Sequence, residues 1–191
     1  MRFKNWLLNE GAEIKIDLPS VRQSKNFDCG AAALRSIAEF FKAGPDKEQE
    51  YIKLVNATHE KGSTPIAVMA GAKKIGLQAE MHKKMTIRQL ISFLEQKKPV
   101  ICAIQAWGDK KTYPDRKSGH YVIAIGYDNQ KIYFEDPSLQ GKRGFLSHHD
   151  FNKRWHDEED NGDVYDHAGL VIWKDTANND EEHLPKAGKI K

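Results

Sequence analysis

The chain has 191 residues, a length that suits one domain with a hydrophobic core large enough to need no disulfide or metal staples. Its 39% hydrophobic and 30% charged content is that of a globular domain, neither a low-complexity nor a membrane-embedded chain. A formal net charge of +3 is too weak and too scattered to mark a nucleic-acid binder, so no nucleic-acid partner is expected.

The first stretch, "MRFKNWLLNEGAEIKIDLPS", holds only Trp6, Leu7 and Leu8 as an apolar run. A signal peptide needs roughly 7–15 apolar residues and a spanning helix about 20. Residues 1–17 therefore read as an N-terminal extension with no membrane span, ahead of a domain over 18–174 and a polar tail over 175–191. Two cysteines, Cys29 and Cys102, lie in segments of different character and build no disulfide framework. A reducing, cytoplasmic location is expected.

Next comes "VRQSKNFDCGAAALRSIAEFF". Ala31, Ala32, Ala33 and Leu34 form helices well, and Leu34, Ile37, Phe40 and Phe41 recur at helical spacing. The helix should open at Cys29, with Asp28 at its N-cap, and stop at Gly44-Pro45. "PDKEQEYIKLVNA" reads as a second helix, with Asp46 as N-cap and Gln49 completing a capping box. "STPIAVMAGAKKIG" is a third, capped by Thr64, with Pro65 in the first turn and Gly76 as its stop. "LQAEMHK" follows as a short strand. "TIRQLISFLEQKK" is a fourth helix with a Thr86–Gln89 capping box.

From Pro99 the character changes. "VICAIQAW", "HYVIAIGYD", "KIYFEDP", "RGFLS" and "AGLVIWK" are short β-branched and aromatic runs. Asp128-Asn129-Gln130 marks a hairpin turn, and "HDFNKRWHD" is a short helix before the last strand. Helices first and antiparallel strands afterwards predict an α+β domain, its helical part packed on a C-terminal sheet.

Chemistry concentrates at a few positions. A free cysteine is ordinarily an inert core side chain, and Cys102, inside the apolar "VICAI", fits that description. Cys29 differs: a thiol in the first turn of a helix sits at the positive end of the macrodipole, where thiolate is favoured. A cysteine nucleophile needs a base. Of the eight histidines, His120 alone opens a strand directly after a glycine and a long polar loop. With a turn at Asp128–Asn129, antiparallel pairing brings His120 opposite Pro137, and so beside Asp136. That carboxylate can accept from the imidazole and fix its tautomer, although Pro137 also suits a plain strand-ending turn. Gln23, six positions before Cys29, supplies an amide for an oxyanion, together with the Cys29 backbone N–H. A "DEEDNGD" stretch fails as a calcium loop, because Ala168 stands at the twelfth position from Asp157 where glutamate is required. No metal or other cofactor is expected.

"Q-x5-C-G" before an alanine-rich helix, then "GHYVIAIGYD", then "FEDPS", resembles the bacteriocin-processing cysteine peptidases, papain-like enzymes that cut leader peptides after a double glycine. The resemblance spans about Leu18 to Trp173. It implies a papain-like fold with Cys29 as nucleophile, His120 as base, Asp136 as orienting carboxylate and Gln23 as oxyanion donor. It further implies a peptide or protein substrate and a separate transporter partner, because the transporter fused to many members is missing here. Phe27, Trp107 and Tyr121 are candidate walls of a narrow substrate groove, although Tyr121 alternates away from His120 along the strand. The loop "QAWGDKKTYPDRKSG" either shapes specificity through Trp107 and Tyr113 or is a solvated insertion. Two other outcomes stay open on these residues. One is an acyltransferase or amidase on the same scaffold. The other is a module that binds leader peptides without cutting them, although the presence of Cys29, His120 and Asp136 together speaks against it.

Overall fold

A computed structural model of the chain describes residues 13–107, 111, 114, 119–139, 143–159 and 162–175. Its centre is the most apolar run of the sequence. "VICAIQ" becomes β3 (Val100–Gln105), buried along its whole length, and it lies between β4 (Gly119–Tyr127) and β9 (Gly169–Trp173). A strand buried on both faces needs continuous apolar residues, not alternation. The sheet runs β2 (Gln78–His82), β9, β3, β4, β5 (Lys131–Glu135), β6 (Gly144–Ser147), and every pair in it is antiparallel. A two-residue strand, β1 (Glu13–Ile14), adds to β4.

The helices come as expected, with shifted ends. α1 (Cys29–Phe40) buries Ala31, Ala33, Leu34 and Ile37 and packs on β4, on α2 (Glu48–Leu54) and on α3 (Pro65–Lys74). It ends before Gly44: Lys42 takes the left-handed conformation at φ 50°, and Ala43 N–H closes the end on the Ala38 carbonyl. α2 has no side-chain cap. Lys47, not Asp46, precedes it in extended conformation, and no capping box forms around Gln49. The signals of α3 hold: the Thr64 hydroxyl accepts from Ala67 N–H, Pro65 opens the first turn, and Gly76 stands at φ 81°. α4 (Ile87–Glu95) carries the full Thr86–Gln89 capping box and packs on β3 and β4. α5 (His148–Arg154) precedes a small hairpin that the sequence did not announce, β7 (His156–Glu158) with β8 (Val164–Asp166). Trp155 is fully buried at its root, stacked on Phe151 at 4.5 Å, with its indole N–H donated to the Ala168 carbonyl.

Within the stretch read as an extension, Glu13 and Ile14 already pair with β4. Lys15 and Ile16 both donate to the Ile125 carbonyl, and Ile16 is buried. No described helix is long and apolar enough to cross a membrane.

Candidate active site

The site assembles where the start of α1 meets one end of β4 and β5. Cys29 is the first residue of α1 and is partly exposed. α1 lies against β4, which begins at Gly119, so His120 enters the same place from the sheet side. Its ring is almost wholly buried, at 2% exposure.

Asp136 follows the last residue of β5. The His120 Nε2 to Asp136 Oδ1 distance is 2.7 Å, and the Cys29 sulfur lies near enough to act on the same ring. This contact arises in a register other than the expected one. The hairpin tip is Asn129–Gln130, because Asp128 Oδ1 accepts from the N–H groups of Gln130 and Lys131 at 2.7 Å each. A bulge at Ile125 then takes back part of that offset, leaving Ile123 opposite Glu135. The ladder stops there, and the turn that follows bends Asp136 to the histidine. Both readings of Pro137 therefore hold, since the strand ends in a turn and the turn delivers the carboxylate. Ser138 fixes it by donating to Oδ1 from both N–H and hydroxyl at 2.8 Å. The D-x-S pattern of an Asx turn was the signal for this serine in the sequence.

Electrostatics follow from this packing. Burial acts first on His120 and works to lower its pKa, but the bonds to Asp136 and Cys29 outweigh it and lift the pKa to about 9. Asp136 shows the complement: burial works to raise it, and the His120 partner together with the Ser138 donors brings it below the ordinary value. His120 is thus favoured as an imidazolium beside the Asp136 carboxylate and the Cys29 sulfur. Cys102, fully buried in β3, has its thiol pushed far up by burial alone.

Gln23 lies in the lead-in to α1. Its backbone N–H donates to the Pro137 carbonyl at 2.9 Å, tying the lead-in to the Asp136 turn. Its side-chain amide donates to the Lys25 carbonyl at 2.7 Å, which leaves the second amide hydrogen for another acceptor. Asp28 occupies the N-cap position but does not cap; its side chain turns back toward Ser24 and Lys25.

The three wall residues fare differently. Phe27 is half-buried, edge-on to His59 at 5.8 Å between ring centres. Trp107 is 52% exposed, with its ring 5.0 Å from that of His120. The Arg154 guanidinium holds the chain just before it, donating to the Ala106 carbonyl at 2.9 Å and to Gln105 at 3.4 Å. Tyr121 does not line an open groove. It is 8% exposed beneath α1, its hydroxyl donates to the Ser63 carbonyl at 2.9 Å, and its ring abuts Gly30. Alternation along β4 sends it to the face opposite His120. Tyr113 lies outside the described residues. No cluster of metal-ligating side chains occurs among the described residues.

Comparisons with known proteins match the chain to a family and to a fold. The family model described as papain-like cysteine protease AvrRpt2 matches residues 12–156. No curated protein matches the chain in sequence. Among solved structures, a C39-like peptidase from Bacillus anthracis superposes with a TM-score of 0.67 at 14% identity, covering 86% of this chain and 98% of that one. The peptidase domain of Streptococcus ComA, a bifunctional ABC transporter, gives 0.60 at 19% identity over 82% and 97%. A double glycine motif protease from an AMS/PCAT transporter, solved with its leader peptide, gives 0.58 at 16% identity over 86% and 95%. At these identities the likeness to the three structures is one of fold.

Proposed function

The chain belongs to the papain-like cysteine protease family whose model it matches over residues 12–156, and on that premise we propose that it cleaves peptides after Gly-Gly with Cys29 as nucleophile. The observation that carries the reading is the buried His120 ring, its Nε2 2.7 Å from Asp136 Oδ1 and its pKa raised by both Asp136 and the Cys29 sulfur. Asp136 keeps the Nε2 proton in place, so Nδ1 faces the sulfur and exchanges the proton that matters for chemistry. The thiolate attacks the scissile carbonyl. The Gln23 amide and the Cys29 N–H receive the oxyanion, and His120 hands its proton to the leaving amine. Water, activated by the now neutral imidazole, then hydrolyses the thioester.

Gly-Gly selectivity is the finer part of this proposal. It is supported by the fold shared with a double glycine motif protease that was solved with its leader peptide, and by aromatic groups on either side of the site. Phe27 stands two residues before the nucleophile, and Trp107 lies over the base. Such walls exclude a β-carbon by clash, which discriminates more sharply than filling a pocket, where a methylene is worth about 1–3 kcal/mol. A separate transporter as partner and a cytoplasmic location belong to the same proposal; both cysteines are free, as a reducing compartment would keep them.

The test is a panel of peptides whose acyl portion ends in Gly-Gly, Ala-Gly, Gly-Ala or Leu-Arg, assayed with and without added amines. Cutting confined to Gly-Gly, with free acid as the product, is expected. Equal cutting of Leu-Arg would end the Gly-Gly assignment, and predominant amide products would make the protein an acyltransferase.

A further inference from the structure

Asp28 stands immediately before the nucleophile, is fully buried, and does not cap the helix it precedes. A carboxyl group in that position needs partners. Its Oδ1 accepts the Lys25 N–H at 3.2 Å and its Oδ2 the Ser24 hydroxyl at 3.4 Å. A second carboxyl group arrives from the first residue of α2: Glu48 Oε1 accepts the Ser24 N–H at 3.2 Å, and the Glu48 side chain also bonds that of Asp28. The lead-in is therefore pinned at successive amides. Gln23 N–H goes to Pro137, Ser24 N–H to Glu48 and Lys25 N–H to Asp28. The Lys25 carbonyl in turn receives the Gln23 side-chain amide.

We propose that the adjoining carboxyl groups of Asp28 and Glu48 are positioning residues that hold the Gln23 amide where the oxyanion forms, a role that rests on the oxyanion function given to Gln23 above. Neither carboxyl group touches the reacting atoms. Each fixes a backbone amide of the turn whose carbonyl orients the glutamine. Two carboxylates side by side repel, so the charge of Glu48 disfavours an ionised Asp28. Burial raises the pKa of Asp28 first, the Lys25 N–H opposes this, and the charge of Glu48 raises it further. The Lys25 ammonium lies over the Phe27 ring, 5.4 Å from its centre. A glutamine at position 48 keeps both contacts, its oxygen accepting from Ser24 and its amide donating to Asp28. An alanine keeps neither.

The experiment is a double-mutant cycle on the full chain, with a Gly-Gly peptide bearing a fluorogenic amide leaving group as substrate and thermal unfolding as the check on folding. Glu48 is only partly buried at the end of a helix, so Glu48→Ala and Glu48→Gln are expected to fold. Glu48→Ala should lower kcat roughly tenfold, a part of the 10²–10³ that an oxyanion donor supplies, with KM nearly unchanged. Glu48→Gln should keep the wild-type kcat. In a Gln23→Ala background Glu48→Ala should cost nothing further, because there is no amide left to position. Equal losses in both backgrounds, or none in either, would overturn the role of the pair while leaving Gln23 as oxyanion donor. Wild-type turnover in Gln23→Ala itself would remove the oxyanion reading, and this proposal with it.

Discussion

Replacing Asp136 by asparagine removes one charge from the site and little else. Both Ser138 donors point at Oδ1, the oxygen that also meets His120 Nε2 at 2.7 Å. The asparagine must keep its amide oxygen there, since a rotated NH2 would face these donors. The acceptor survives and the imidazole keeps its tautomer. What goes is the charge assistance. Hydrogen bonds to charged groups contribute about 1.5–3 kcal/mol and neutral ones about 0.5–1.5. The difference, about 1–1.5 kcal/mol, is close to one pKa unit at 1.36 kcal/mol per unit. His120, held at about 9 in the wild type, should therefore lose its proton about one pH unit lower in Asp136→Asn. Asp136→Ala should do worse. It leaves Nε2 buried without a partner and lets burial, the largest influence on this ring, pull the pKa down against Cys29 alone. The assay is the alkaline limb of kcat/KM, supported by the pH dependence of Cys29 alkylation. An unmoved limb in Asp136→Asn, or more activity in the alanine variant than in the asparagine variant at equal stability, would refute the reasoning.

Three further outcomes follow from the same geometry. Iodoacetamide should label Cys29 far faster than Cys102 in the folded protein, since Cys102 is fully buried with its thiol pushed up by desolvation; mass-spectrometric mapping reads the ratio, and equal labelling would contradict it. Gly30→Ala should lower stability by about 1–3 kcal/mol, as overpacking does. Its β-carbon would stand 2.2 Å from Ser63 Oγ and 3.2 Å from the Tyr121 ring, and that ring is tethered through its hydroxyl to the Ser63 carbonyl; denaturant unfolding measures the change. Because the pKa of His120 is higher folded than unfolded, its contribution to stability is complete below about 6.5 and is lost as pH rises through about 9. Thermal midpoints should fall across that window in the wild type and less steeply in Asp136→Asn.

The sequence alone determined what depends on local rules. Helix α4 and its capping box follow from T-x-x-Q ahead of an amphipathic run, and the central place of β3 follows from "VICAI", which no half-exposed strand would carry. Cys29, His120 and Asp136 were legible as a candidate set because each sits at the end of an element, where a side chain of that type needs a reason to be. Tertiary structure decided what depends on distance. The hairpin register was misjudged by one residue at the tip, and the bulge at Ile125 then shifted it again, yet the His120–Asp136 contact survived because a turn, not the ladder, delivers the carboxylate. Tyr121 lies beside the base in the chain but beneath α1 in space, because a strand sends neighbours to opposite faces. Glu48 is 24 residues from Ser24 and carries no local signature; only the packing of α2 on α1 brings its carboxylate to the Gln23 turn. Asp28 looked like a helix cap, and a cap is a local device. Burial beside a second carboxyl group gave it other partners, and burial is set by the whole chain.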